Sequence, residues 1–143
     1  MPIGGFYFRP TGQFTVALGF PFLLVEWKDE RTTLRLSSTL PSVEAVLERD
    51  FGDEFFYRFR TGLSERGYLH NDRIKDENRI FFEEKYLEGG TGLHLSSRTQ
   101  AIFSLGYAFD RRVYEGTHIF DSSGPDRRIK NDLFGTLHLE FIL

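Results

Sequence analysis

Alternation with a period of two, repeated along nearly the whole chain, is the feature that most restricts what this sequence can fold into. From Gln13 to Phe20, Phe14, Val16, Leu18 and Phe20 fall on one side of an extended chain, and Gln13, Thr15, Ala17 and Gly19 on the other. Successive side chains of a strand point to opposite faces, so this pattern describes a strand with one apolar face. It recurs in Leu23, Val25 and Trp27 against Glu26 and Lys28, and in Leu34 and Leu36 against Thr33 and Arg35. Phe55, Tyr57 and Phe59 oppose Arg58 and Arg60; Leu87, Leu93 and Leu95 oppose Glu84, Glu88 and His94. Phe103, Leu105, Tyr107 and Phe109 oppose Gln100, Ser104, Gly106 and Asp110. The last run sets Leu133, Leu137, Leu139, Phe141 and Leu143 against Asp132, Thr136, His138 and Glu140.

Val43, Ala45 and Leu47 alternate with Ser42, Glu44 and Glu48. Ser42 behind Pro41 is also a competent helix N-cap, but the alternation favours a strand. The expectation is eight strands from Gln13 onward, with a ninth in Phe6–Phe8. Sixteen phenylalanines and fourteen glycines among 143 residues suit pleated strands and tight turns. No linker or repeat divides the chain, which reads as a single domain over 1–143.

The connections alternate in character. Pro10–Gly12, Lys28–Arg31, Asp50–Asp53 and Ser96–Arg98 are short, and every second connection belongs to this set. The other set contains two long polar stretches, Leu63 to Asn78 and Tyr114 to Lys130. In an up-and-down sheet, alternate connections share an end, so the long stretches share one rim. Short turns at one rim and long loops at the other are the habit of outer-membrane barrels. The expected fold is therefore an all-β, antiparallel up-and-down barrel of about eight strands, of the transmembrane type, closed alone or as part of a larger barrel.

In such a barrel the apolar face turns to lipid and the polar face is enclosed. Arg35, Arg58, Arg60 and Glu88 would then join His94, Asp110, His138 and Glu140 in an interior polar network. In a soluble barrel of the lipocalin kind the same residues form the wet exterior, and the centre holds an apolar ligand. A third reading is a membrane-barrel enzyme acting on lipids, with Glu88 beside His94, or His138 beside Glu140, orienting a base. No nucleophile motif accompanies those pairs, and the expectation is a non-enzymatic protein.

The charges nearly balance, 18 Lys and Arg against 21 Asp and Glu, which points away from nucleic acid. There is no cysteine, so neither disulfides nor thiolate chemistry are available. His70 and His118, in the two long stretches, lack metal-ligand spacing, and no metal or cofactor is expected. Arg111-Arg112 and Asp126-Arg127-Arg128 are short basic clusters that could meet lipopolysaccharide phosphates. Gly89-Gly90-Thr91-Gly92 lacks the Gly-Lys-Ser/Thr ending of a phosphate loop and reads as a strand bend or bulge. Met1–Gly5 does not have the character of a signal peptide.

Several of these residues, in order, carry a family resemblance. Gly19-Phe20-Pro21 leads to Trp27, and Leu40-Pro41 follows the next strand. Tyr86-Leu87-Glu88-Gly89-Gly90-Thr91-Gly92-Leu93 comes later, then Leu105-Gly106-Tyr107-Ala108-Phe109-Asp110-Arg111-Arg112 and the closing strand. The order resembles the C-terminal part of an uncharacterised bacterial family of porin-like outer-membrane β-barrels, over roughly Phe14 to Leu143. The resemblance implies an outer-membrane location, a lipid bilayer as partner, and a barrel architecture; it implies no activity. Family members extend further at the N-terminus.

Overall fold

The computed structural model describes residues 4–68, 79–117 and 126–141. Ten strands form one antiparallel sheet: β1 Gly5–Thr11, β2 Phe14–Gly19, β3 Phe22–Lys28, β4 Thr32–Thr39, β5 Ser42–Phe51, β6 Phe55–Tyr68, β7 Arg79–Ser96, β8 Thr99–Gly116, β9 Asp126–Ile129 and β10 Asp132–Phe141. Each of β1 to β8 pairs with the next in order, and β10 lies on β8. The short β9 pairs with the upper end of β8, opposite Arg111–Tyr114. The segment at Ser42 is a strand and not a helix, because both of its edges are taken by β4 and β6.

The sheet differs from the expected closed eight-stranded barrel. It has more strands, and it is not closed: β1 and β10 are its two free edges. The reason lies in direction. Ten strands less β9 leave nine on the continuous path, so β1 and β10 run the same way. Direct closure would force a parallel pair into an antiparallel sheet, and no Cα of β1 comes within 8 Å of one in β10. The two long polar stretches are also shorter than expected, since Leu63–Tyr68, Tyr114–Gly116 and Asp126–Ile129 belong to strands.

Register assigns the faces. Trp27 pairs with Leu34, Leu34 with Leu47, Leu47 with Phe59, and Leu105 lies between Gly89 and Gly135. These residues share the convex face. Arg35 pairs with Val46, Val46 with Arg60, Arg60 with Glu88, and Glu88 with Gly106, all on the concave face. The convex side chains stand open: Leu105 is 62% exposed, Leu137 77% and Phe103 55%. Ile102 and Ser104, which alternate with them, are buried, as are Phe56 and Val46.

The curl of the sheet depends on glycines of the concave face. A Cβ on Gly92 would overlap the ring of Phe56, and one on Gly106 the ring of Phe134. Each aromatic ring lies over a neighbouring strand's glycine, an arrangement that closes the bend and covers backbone. Gly90 and Gly92 are thus seats for inward side chains, of Ser104 and Phe56, and the Gly89–Gly92 run lies within a continuous β7, not at the expected bend or bulge. The register shifts fall elsewhere: one near the Ser97 turn, between His94 and Ser96, and one where Glu83 pairs with Arg112 but Lys85 with Phe109, leaving one extra residue in β8. Asp110 takes a left-handed φ of 49° there. Gly92→Ala should destabilise the sheet by about 1–3 kcal/mol through overpacking. Adding Phe56→Leu should recover part of that loss, both read as shifts in a urea unfolding midpoint.

Candidate functional site

The concave face holds a ladder of charge in which each rung spans several strands, some of them not neighbours. Arg58 of β6 donates through Nη1 to Glu140 Oε1 of β10 at 2.6 Å, and its Nε lies 3.7 Å from Glu48. Gln100 Nε2 donates to the other Glu140 oxygen at 2.7 Å. β6 and β10 are separated by β7 and β8, so on a flat sheet side chains standing perpendicular would pass about 14 Å apart. They meet because the sheet curls.

The adjoining rung centres on Arg60. Its Nε donates to Glu44 Oε2 at 3.1 Å, with Nη2 on the same oxygen, and its Nη1 reaches Glu88 Oε2 at 3.3 Å. Tyr86 donates its hydroxyl to Glu44 at 2.7 Å and lies under the guanidinium, 5.7 Å from the ring centroid. Thr136 of β10 donates to Glu88 Oε1 at 2.9 Å. Glu88 is nearly sealed, with 5% of its side chain exposed. A buried carboxylate is tolerable only when its lone pairs are taken by charge and hydrogen bonds, and here both oxygens are.

Between the expected residues and this arrangement there is a clear division. Arg58 and Glu140 come together, and so do Arg60 and Glu88. Arg35 shares the concave face but pairs locally with Glu26 at 2.8 Å. His94 lies 3.5 Å from Asp50 and 4.9 Å from the Phe56 ring, not against Glu88. His138 points to the concave side, where it lines a cavity of about 700 Å³ with Arg60 and Glu88. Asp110 does not belong to the network. The extra residue at the bulge carries it away from Ala108, and it binds Lys85, which continues the convex row. The Lys85 ammonium holds the Asp110 carboxyl below the usual carboxylate range. Glu44 and Tyr86 complete the Arg60 rung; only their matching parity could have flagged them.

Two cavities abut at these rungs. One of about 700 Å³ extends toward Ser37, Thr39 and Asp132, and the other, about 450 Å³, toward Lys28, Asp29 and Arg31. The second is lined from Glu26 on β3 round to Glu140 on β10, so these two strands face each other across the hollow.

Past the bulge the face pattern changes. Glu65, Glu83 and Arg112 have the parity of the convex row. Arg112 binds Glu83 at 2.7 Å, Tyr114 donates to Glu65, and Phe81 stacks on Tyr114 at 5.2 Å. Arg111 is engaged too, 3.4 Å from Glu84 and over the Phe82 ring. These two arginines, which could meet phosphates, are paired with carboxylates of β7. His70 and His118 lie outside the described residues. Comparison with protein-family models, with curated proteins and with solved structures returns no match.

Proposed function

We infer that this chain forms lipid-facing wall of a β-barrel in the bacterial outer membrane, with a structural or porin-like role and no enzymatic one. A single observation carries the reading: short of the bulge, the strands turn most of their large apolar side chains out of the sheet, with Phe56, Ile102 and Val46 buried inside as exceptions, and keep most of their ionised ones within the curl. A protein surrounded by water gains by the reverse arrangement, because apolar area left wet forfeits about 25 cal/mol per Å². Contiguous exposed apolar surface on this scale marks contact with lipid or protein.

The dimensions support it. The convex row of β8 runs from Ala101 to Phe109, eight steps or about 27 Å along the strand. At the usual tilt that is about 20 Å across a bilayer, near the apolar belt of such barrels. Charged side chains on this face occur at its ends, Arg49 beside the Phe51 turn and Lys85 beside the bulge. The reversal at Glu65, Glu83 and Arg112 then marks where the strands leave the hydrocarbon. The family resemblance to porin-like barrels belongs to the same proposal. A lipocalin-like role is less well supported, since the hollow presents ion pairs to an apolar ligand. A lipid-modifying role is less well supported: Glu88 is bound to Arg60 and Thr136, His94 lies beside Asp50, and Glu140, the carboxylate expected to serve His138, is held by Arg58 and Gln100.

Trp27, the chain's one tryptophan, tests the reading directly. It stands on the convex face, 40% exposed. After reconstitution, lipids brominated on the acyl chains should quench its fluorescence strongly, and aqueous iodide should quench it weakly. Strong iodide quenching with no effect of bromolipid would remove the membrane assignment.

A further inference from the structure

We propose that the hollow within the curl passes small monovalent cations in preference to anions. The inference rests on the porin-like reading and names the class of solute that such a wall would carry. Its ground is an imbalance of charge at the rungs where the two cavities abut.

Two arginines serve four glutamates there. Arg58 answers Glu48 and Glu140, and Arg60 answers Glu44 and Glu88. No other Lys or Arg among the described residues pairs with any of the four, so the rungs carry an excess of two negative charges. The imbalance is local, and it acts on the hollow whichever strands complete the barrel wall. The cavities on either side do not repair it. Among the described residues the larger is lined by four carboxylates against three Lys or Arg side chains, and the smaller by five against four. A third cavity, of about 310 Å³, shares Arg31, Asp50 and His94 with the smaller one and reaches the Gly52 turn. Its carboxylates, on Glu30, Asp50 and Asp53, meet one guanidinium, that of Arg31.

Position matters as much as number. Arg60 lies between Glu44 and Glu88, and Arg58 between Glu140 and Glu48. An anion approaching either guanidinium would have to displace a glutamate. A cation meets carboxylates that are less fully engaged. Arg58 Nε makes no hydrogen bond and lies 3.7 Å from Glu48, so the Glu48 oxygens keep lone pairs open to the smaller cavity. Asp132 lines the larger cavity and accepts from the adjoining Leu133 N–H. Low-dielectric walls focus the field of a charged lining, and a negative one raises the local concentration of cations by about tenfold or more. Conduction also requires that the ion leave again. Among the described residues no group of three or more His, Asp or Glu side chains is placed to hold a metal ion, so the lining attracts cations without fixing them.

The test places the whole chain in planar phosphatidylcholine bilayers, which bear no net charge, with KCl more concentrated on one side and the buffer mildly alkaline. The reversal potential should give K⁺ a permeability about tenfold that of Cl⁻. Glu48→Gln removes one charge from the lining. It should lower the ratio to about twofold, since one unit charge at about 4 Å in water weights an ion about fivefold. Glu54→Gln, at an exposed position that lines none of the three cavities, should leave the ratio unchanged. Equal permeabilities or a preference for Cl⁻ overturn the inference. So does an equal loss in the Glu54→Gln variant, which would trace the selectivity to net charge alone. Vesicle flotation separates the remaining cases. A chain that floats with vesicles yet passes no current loses the porin-like role, and this inference with it. A chain that does not float loses the lipid-facing reading itself, which is a distinct result.

Discussion

Leu105→Arg should abolish stable insertion of the sheet while leaving its strand content in detergent largely intact. Leu105 stands in the middle of the convex row of β8, between Phe103 and Tyr107, with Gly89 and Gly135 as its cross-strand partners. Among the described residues the nearest charges in the rows of β7 and β8 on that face are Lys85 and the Asp110 bound to it, and both lie beyond Tyr107 and Phe109, too far to neutralise a guanidinium at Leu105. On a lipid face at mid-depth the substitution costs about 2–4 kcal/mol, falling toward zero near the interfaces. That depth dependence gives the experiment its sign. Leu95→Arg, at the end of the β7 row next to the Ser97 turn, should cost under about 1 kcal/mol by the same rule. Urea midpoints in phosphatidylcholine vesicles would measure both. If the two variants lose equally little, the convex face borders water, since an exposed surface position tolerates arginine anywhere along a strand.

The lower part of the sheet was legible in the sequence because apolar and polar residues separate cleanly there. Phe103, Leu105 and Tyr107 against Gln100, Ser104 and Gly106 define a strand and its faces without any help from neighbours. Past Leu63 in β6 and Phe109 in β8, both faces carry charge, as in Ser64-Glu65-Arg66 and Arg111-Arg112. A period-two hydrophobic signal vanishes under those conditions, so these strand ends read as loop. β9 is four residues long and charged, and only its pairing to β8 makes it a strand.

Partners were harder than faces. The parity of Arg58 and Glu140 placed both on one side, but 82 residues separate them. Their meeting depends on register and curl, which no local pattern encodes. Asp110 had the right parity up to Ala108, and the single extra residue of the bulge undid it, as one residue of slip reverses every later side chain. Closure was illegible for a related reason. It turns on whether the number of strands is odd or even, and the short Phe6–Phe8 segment, added to the eight from Gln13 onward, decides that number.

Arg60→Met should destabilise the sheet by about 2–3 kcal/mol, less than the cost of breaking a fully buried ionic group, because Glu88 is sealed while Arg60 and Glu44 are only part-buried. Arg60 serves two carboxylates from different strands. Without it, Glu88 keeps only the Thr136 hydroxyl and Glu44 only the Tyr86 hydroxyl among the bonds just described. With 5% of its side chain exposed, Glu88 has little access to water as a substitute. The loss therefore comes mainly from a charge left behind, not from the attraction itself. It follows that Glu88→Gln in the Arg60→Met background should restore much of the deficit, since a neutral amide needs no counter-charge. Adding Glu44→Gln should restore more. Denaturant titration of the single, double and triple variants gives the comparison. A single variant within about 0.5 kcal/mol of the parent would mean that water already screens the rung. A double variant worse than the single one would mean that the attraction, and not the stranded carboxylate, sets the cost.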